Sequence, residues 1–152
     1  MQNNKPVSLK KTPRIVLVED ERVLSRLLEE CIHEWYVKVD LLKFESGDEA
    51  WKELSLKAPD LLILDWSHPG LTGHEILQRL ALNLARFPIL LTSEYFAEHL
   101  QWFCDHGLRL GFLPKPFGIR EFWAALNQLL GRSDHPEMQA LVKTVVETHL
   151  LG

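Results

Sequence analysis

The sequence predicts an α/β domain with a doubly wound, five-stranded parallel sheet. Short apolar runs alternate with longer amphipathic segments five times between Arg14 and Gly131. Leu61–Leu64 is apolar at every position, as expected for a central strand that helices cover on both faces. The 152 residues, 46% of them hydrophobic, suffice for one domain with a single core. Strands that alternate with helices in this way favour right-handed crossovers and a parallel sheet.

The first two strand–helix units follow from hydrophobic periodicity. Ile15–Val18 is predicted to be a buried strand, followed by a helix whose apolar stripe is Leu24, Leu27, Leu28, Cys31 and Trp35. Val37–Phe44 is strand-like, and Glu45–Gly47 is a turn. Asp48 is predicted to cap a second helix that runs to about Lys57, with its inward-facing residues being Ala50, Trp51 and Leu54.

The remaining three units are predicted in the same way. The central strand ends on Asp65, and a loop leads into a third helix with the predicted buried residues Ile76, Leu77, Leu80 and Leu84. A fourth strand, Ile89–Thr92, precedes a helix over Glu94–His106. Gly111–Leu113 is a short fifth strand, and Ile119–Leu130 is a helix with the inward-facing residues Phe122, Trp123, Leu126 and Leu129.

Two terminal segments differ from the domain, which is predicted to span residues 14–131. Residues 1–13 are polar without periodicity and are expected to form a disordered leader. Residues 132–152 combine a polar hinge with an extra C-terminal helix, in which Met138, Leu141, Val142 and Val145 fall at helical spacing. Whether this helix packs on its own domain or binds a partner stays open, as does whether the chain is a fragment of a longer protein.

Composition narrows the class of partner and the location. Lys and Arg number 17 against 21 Asp and Glu, so the net charge of −4 does not favour direct binding of nucleic acid. Apolar runs are too short to span a bilayer, and the first residues lack the pattern of a signal peptide, so we expect a cytoplasmic protein without membrane contact. Cys31 and Cys104 lie in helical patterns and are expected to be core thiols.

The predicted carboxyl ends of the strands carry the residues that could perform chemistry. Ligands of an open α/β sheet bind at these ends. Carboxylates that crowd together repel one another unless a cation neutralises them, and oxygen ligands without His or Cys favour Mg²⁺. A carboxylate nucleophile, a metal, a lysine and a hydroxyl are the parts needed to take up a phosphoryl group. The residues at these ends are Glu19, Asp20, Asp65, Thr92, Ser93 and Lys115.

Four motifs, in this order, resemble the receiver domain of bacterial two-component response regulators, in particular single-domain regulators like those of chemotaxis. Each motif ends a predicted strand, and the resemblance covers Arg14 to about Leu130. It implies the flavodoxin-like strand order 2-1-3-4-5. The motifs are Val-Leu-Val-Glu19-Asp20-Glu21, Pro59-Asp-Leu-Leu-Ile-Leu-Asp65-Trp-Ser-His-Pro69-Gly-Leu-Thr-Gly73, Pro88-Ile-Leu-Leu-Thr92-Ser93 and Phe112-Leu-Pro-Lys115-Pro116-Phe117.

The resemblance implies that Asp65 receives a phosphoryl group from a histidine kinase or a phosphotransfer protein. Mg²⁺ would be held by Asp20, Asp65 and the backbone carbonyl of Ser67, with Glu19 assisting through water. Lys115 would pair with the phosphoryl group and precede a cis peptide bond to the next residue.

The resemblance also implies a switch. Thr92 would bond to a phosphoryl oxygen, and Phe112 would change rotamer as Thr92 moves. The surface formed by the fourth helix, fifth strand and fifth helix would then change its conformational populations. A downstream protein, still unknown, would bind this surface. Such a protein is a phosphoacceptor rather than an enzyme, with at most slow self-dephosphorylation. Pairing of two copies into a homodimer stays open.

Some residues depart from the commonest family pattern, and rival interpretations stay open. Glu19 replaces the usual first Asp, and Ser93 stands where Ala is common. One rival is an interaction module of the same fold that works without phosphorylation. Another is a phosphatase of the haloacid dehalogenase type, although Ser67 stands where that class needs a second Asp. Taken singly, Asp65 could also be a plain helix cap and Glu19–Glu21 a solvated acidic turn.

Overall fold

The computed structural model describes residues 12–94 and 100–131, in which five strands alternate with five helices. In these ranges no helix is long and apolar enough to cross a membrane. The predicted leader, apart from its last two residues, and the predicted hinge and C-terminal helix lie outside the described residues. The elements are β1 Arg14–Val18, α1 Arg22–Trp35, β2 Asp40–Phe44, α2 Gly47–Leu56, β3 Leu61–Asp65, α3 Gly73–Leu82, β4 Pro88–Ser93, α4 Leu100–Asp105, β5 Arg109–Pro114 and α5 Ile119–Leu129.

The sheet has the order β2-β1-β3-β4-β5, and every pair of neighbouring strands is parallel, which confirms the predicted fold and strand order. Val18, the last residue of β1, pairs with Leu64 of β3. Asp65, the last residue of β3, pairs with Thr92 of β4. These pairings bring the carboxyl ends of three adjacent strands to one edge of the sheet.

Each face of the sheet has its own core because side chains alternate along a strand. One core lies under α1 and α5, where Ile15 and Ile63 pack against Phe122. The other lies under α2, α3 and α4, where Leu62 and Leu64 pack with residues of those helices. Every residue of β3 and β4 is buried, as the uninterrupted apolar run predicts.

Helix starts near the site are set by side-chain caps. Ser46, not the predicted Asp48, caps α2, because its Oγ accepts a hydrogen bond from the Asp48 backbone N–H at 3.3 Å. At α3, Thr72 Oγ1 accepts from the Glu75 N–H at 3.1 Å, and the Glu75 carboxylate accepts from the Thr72 N–H in return. This reciprocal pair of bonds ties the end of the loop after Asp65 to α3.

Several local predictions were wrong. Strand β2 begins at Asp40 rather than Val37, which is fully exposed. Helix α3 ends at Leu82, so Leu84 is 74% exposed rather than buried. Cys31 is buried as predicted, but Cys104 is exposed. Of the predicted fourth helix, the structure describes α4 only over Leu100–Asp105, and residues 95–99 lie outside the described ranges.

Candidate functional site

Three carboxylates meet beyond the ends of β1 and β3. Glu19 and Asp65 are only 2% and 3% exposed, whereas Asp20 faces solvent. One carboxylate oxygen from each of the three lies within 4.8 Å of the others. Within the described ranges, this is the one group of three acidic, His or Cys side chains that could hold a metal ion. The backbone N–H of Glu19 donates to the Phe44 carbonyl at 3.0 Å, which fixes the loop after β1 to the edge strand β2.

Lys115 supplies the cation of the site. Its Nζ donates to Glu19 Oε1 at 2.7 Å and lies 3.4 Å from Asp65 Oδ1. Its backbone N–H donates to the Ser93 carbonyl at 2.7 Å, so β4 positions the loop that carries the lysine. The peptide bond from Lys115 to Pro116 is cis, as the resemblance implies. The structure thus joins residues 96 positions apart in sequence into one part-buried ion pair.

Two backbone donors also serve the carboxylates. The Glu21 N–H donates to Glu19 Oε2 at 3.3 Å, and the Ser67 N–H donates to Asp65 Oδ1 at 3.3 Å. These donors could not be recognised in the sequence, because every residue other than proline carries a backbone N–H and side-chain type gives no indication of its direction. Folding is what brings each N–H to its carboxylate oxygen.

Thr92 and Phe112 lie beside the site at different depths. Thr92 is 1% exposed at the end of β4, and its backbone carbonyl accepts from the Trp66 N–H at 2.8 Å. Phe112 pairs with Leu91 in the neighbouring strand and packs, half-buried, against the core under α2, α3 and α4. The predicted switch residues are therefore on adjacent strands, one at the site edge and one on a helix-covered face.

Burial dominates the electrostatics of the carboxylates. Loss of solvation raises the pKa of Glu19 to about 7, against the lowering effect of its hydrogen bond with Lys115. Burial also raises the pKa of Asp65, although the charge of Lys115 opposes this. Burial alone would lower the pKa of Lys115, but the hydrogen bond to Glu19 and the charges of both carboxylates raise it overall. One ammonium thus faces two buried acids. With both acids ionised, the site carries excess negative charge that a second cation could neutralise.

Trp66, the residue after Asp65, connects the site to α3 and α4. Its ring meets the His74 ring edge to face at 5.8 Å between centroids, and His74 meets Phe103 of α4 at 5.4 Å. Gly73 makes this packing feasible, because a Cβ there would lie 2.9 Å from Trp66 Cα. The contact between Trp66 and His74 could not be read from the sequence, because it joins side chains of a loop and of α3.

Comparisons with known sequences identify the family to which this chain is similar. Residues 15–127 match the family model of the response regulator receiver domain. The phosphate regulon transcriptional regulatory protein PhoB of Rhizobium meliloti is 34% identical over 136 residues, covering 86% of this chain and 58% of PhoB. The response regulator RppA of Synechocystis is 35% identical over 136 residues, covering 87% of this chain and 56% of RppA.

Solved structures also resemble this one. The non-phosphorylated HemR receiver domain from Leptospira biflexa superposes with a TM-score of 0.67 at 27% identity, covering 78% of this chain and 94% of that domain. The signal receiver domain of a Luxo repressor protein from Vibrio parahaemolyticus gives a TM-score of 0.67 at 23% identity, covering 86% and 97%, and supports the fold alone.

The chain spans about half the length of the curated relatives it matches. Several of those relatives are named as transcriptional regulators. These relatives do not support the expectation, drawn from the net charge, that the chain has no direct contact with nucleic acid.

Proposed function

Because this chain belongs to the response regulator receiver domain family, we propose that Asp65 accepts a phosphoryl group from a phosphohistidine on a histidine kinase or a phosphotransfer protein. The family acts in the signal transduction of two-component systems. The observation that carries the proposal is the placement of Lys115 Nζ, 3.4 Å from Asp65 Oδ1 and hydrogen-bonded to Glu19. Donors of this kind imply a cytoplasmic location, as the sequence analysis expects.

In the proposed step, a carboxylate oxygen of Asp65 forms a bond to phosphorus while the bond from phosphorus to the donor's imidazole nitrogen breaks. The departing nitrogen keeps the bonding electron pair and takes up a proton from solvent. Asp65 must be ionised to attack, although burial raises its pKa. The nearby ammonium of Lys115 favours the ionised form, so the lysine helps to keep Asp65 in the form that can attack phosphorus.

Lys115 and Thr92 are proposed to stabilise the transferred group. The lysine is anchored from both ends, by Glu19 at its ammonium and by the Ser93 carbonyl at its backbone N–H. A preorganised cation of this kind stabilises developing negative charge on phosphoryl oxygens. Thr92 is buried directly beside Asp65 in the sheet register, and its hydroxyl is the proposed donor to a phosphoryl oxygen.

The donor set of the site fits a Mg²⁺ ion. It consists only of oxygens, and the two buried acids share a single ammonium, so a divalent cation would relieve their repulsion. We propose that Asp20, Asp65 and the Ser67 backbone carbonyl would hold the ion, with Glu19 assisting through water. When bound, Mg²⁺ supplies positive charge that neutralises the transferred group and helps to orient it.

Phosphorylation is proposed to act as a switch rather than as a step in catalysis. Thr92 would move toward the phosphoryl group, and the half-buried Phe112 would change rotamer with it. The populations of the conformations of the surface formed by α4, β5 and α5 would then change. Its affinity for a downstream protein, which could be a second copy of the chain, would change with them. The aspartyl phosphate would be lost only by slow self-dephosphorylation.

Labelling with a small phosphodonor tests the proposal. Wild-type protein incubated with Mg²⁺ and radiolabelled acetyl phosphate should take up label and change its Trp66 fluorescence, and Asp65→Asn should lose both responses. The matched control is Asp60→Asn, which removes a carboxylate beside the opposite end of the same strand and should leave labelling unchanged. Trp66→Phe identifies which tryptophan reports the change.

Each outcome of this experiment is decisive. Equal labelling of wild type and Asp65→Asn would contradict the assignment of the phosphoacceptor. A wild-type protein that takes up no label from acetyl phosphate, and gives no fluorescence response to beryllofluoride with Mg²⁺, would favour an interaction module that works without phosphorylation.

A further inference from the structure

A groove lies at the end of the sheet opposite Asp65, between the loop after α3 and the loop before β5. Its volume is about 380 Å³, and no acidic side chain lines it. We call it the Leu84 groove. Its lining residues are Leu84, Ala85, Arg86, His106, Gly107 and Arg109.

Leu84 is unfavourable in two ways where it stands. Its φ of 55° lies in the left-handed region, which a leucine adopts at a cost of about 1 kcal/mol or more. Its side chain is also 74% exposed, so it gains little from burial in the domain. The positive φ closes α3 in a Schellman motif, in which the Ala85 N–H donates to the Leu80 carbonyl at 3.0 Å and the Leu84 N–H to the Ala81 carbonyl at 3.2 Å. What favours an outer contact is therefore the exposed leucine side chain that this helix end presents to the groove.

The two arginines of the groove also differ from the arginine at the start of β1. Arg14 binds Asp40 and Glu53, whereas Arg86 and Arg109 have no carboxylate partner among the residues that the structure describes. Arg109 instead donates from Nη2 to the Leu129 carbonyl at 3.3 Å. In a chain of net charge −4, two such guanidinium groups around an exposed leucine favour an occupant that is both acidic and apolar.

The chain itself supplies an occupant of this kind. Helix α5 ends at Leu129, in contact with Arg109, so the next residues start from the rim of the groove. Five residues reach up to about 17 Å, which is enough to bring Asp134 onto the groove. Residues 134–142 combine two acids with apolar residues at helical spacing, namely Asp134, Glu137, Met138, Leu141 and Val142.

We propose that the Leu84 groove binds residues 134–142 of the same chain. Asp134 and Glu137 pair with Arg109 and Arg86, and the apolar residues cover Leu84. Because His106 at the end of α4 also lines the groove, the contact ties this segment to the α4–β5 loop. The proposal does not depend on phosphorylation of Asp65.

Paramagnetic broadening in NMR spectra of the full chain tests the contact. A nitroxide is attached at Gln139→Cys in a Cys104→Ser background, where the one remaining cysteine, Cys31, is buried. The amide signals of Ala85 and Gly107 should lose at least half of their intensity. The amide of Gly70, in the loop after Asp65 at the far end of the sheet, is the internal control and should keep its intensity.

Leu84→Gly is the most informative variant because it should remove the contact without unfolding the domain. Glycine accepts the positive φ, so the domain should be as stable as wild type or more so, while the broadening at Gly107 should diminish. Leu82→Ala is the matched control, since Leu82 is 83% exposed but does not line the groove.

Charge exchange tests the pairing itself. Arg86→Glu should lower the ratio of bound to unbound segment by about two- to fivefold, the range expected for an exposed ion pair, and Glu137→Arg in the same chain should restore it. Arg120→Glu, the same charge change on α5 outside the groove, should have no effect.

Three results would overturn the proposal. One is the absence of selective broadening at Ala85 and Gly107. Another is broadening that both Leu84→Gly and Arg86→Glu leave unchanged. The third is broadening seen only when labelled and observed molecules are different copies, which would make the occupant a second chain.

Discussion

At each end of the sheet one cation meets more than one acid, but water reaches the two clusters to different extents. At the amino end, the Arg14 guanidinium binds Asp40 and Glu53, whose side chains are 51% and 29% exposed. At the carboxyl end, Lys115 binds Glu19 and lies beside Asp65, whose side chains are 1% and 4% exposed.

This difference in solvation distinguishes the cluster around Arg14 from the cluster to which we assign a function. Water screens the unbalanced negative charge around Arg14, so that cluster can serve as a tie between β1, β2 and α2. The Lys115 cluster has no such screening, and burial raises the pKa of both acids. Its excess charge is therefore available to bind a cation or to be neutralised by chemistry at Asp65.

The largest expected effect comes from removing the cation of the buried cluster. Lys115→Met should lower the free energy of unfolding at pH 8 without Mg²⁺ by about 3 kcal/mol, because it leaves two buried carboxylates unpaired. The loss should shrink at lower pH, where Glu19 and Asp65 take up protons. Urea unfolding followed by circular dichroism measures both effects.

Arg14→Met is the matched control for that variant. Its carboxylate partners keep access to water, so the loss of stability should be smaller than for Lys115→Met. If both substitutions destabilised the protein equally, solvation would not be what distinguishes the two ends of the sheet.

A smaller effect is expected from the pH dependence of stability without metal. The folded chain binds the Glu19 proton more tightly than the unfolded chain, since the pKa rises from 4.5 to about 7. Stability from this group is therefore complete below pH 4.5 and should fall as the pH rises to about 7, by at most about 3 kcal/mol. Saturating Mg²⁺ should oppose the decline, because a bound cation favours the ionised acids.

Glu19→Gln isolates this contribution. Unfolding curves with EDTA at pH 5 and pH 8 should differ less for Glu19→Gln than for wild type, since the amide does not titrate. An unchanged difference between the two pH values would show that Glu19 is not the source of the decline.

The smallest effect is expected at the exposed partner of Arg14. Asp40→Asn removes a carboxylate that lies 3.1 Å from the guanidinium and is half exposed, so the loss of stability should stay below about 1 kcal/mol. Glu29→Gln, which breaks the exposed pair with Lys43, should cost a similar amount. A loss for Asp40→Asn as large as that for Lys115→Met would reverse the contrast between the two ends.

Local patterns predicted the strands and the residues at their ends, whereas the strand order came from the resemblance to a known family. Apolar runs identified β3 and β4, and parallel strands must bring their carboxyl ends to one edge. That rule predicted that Asp65 and Thr92 would lie at the same edge, and the structure pairs them in adjacent strands. The assignment of roles to these residues came from the resemblance of four motifs to a known family.

Helix caps, helix ends and contacts between distant loops could not be predicted from the sequence, because they depend on the folded backbone. Ser46 and Asp48 are both good caps, and only the backbone geometry decided for Ser46. Leu84 fits the helical stripe of α3, but the helix ends two residues earlier. The sequence also placed Lys115 near a phosphoryl group without indicating that it already binds Glu19, since that contact joins the loops after β1 and β5.

Asp20 is the only member of the carboxylate cluster that faces the solvent, while Glu19 and Asp65 form its floor. A cation can therefore come and go at the Asp20 side without any opening of the core. Exchange with a chelator should then be fast and fully reversible, and the phosphodonor proposed for Asp65 would have to approach from that same side.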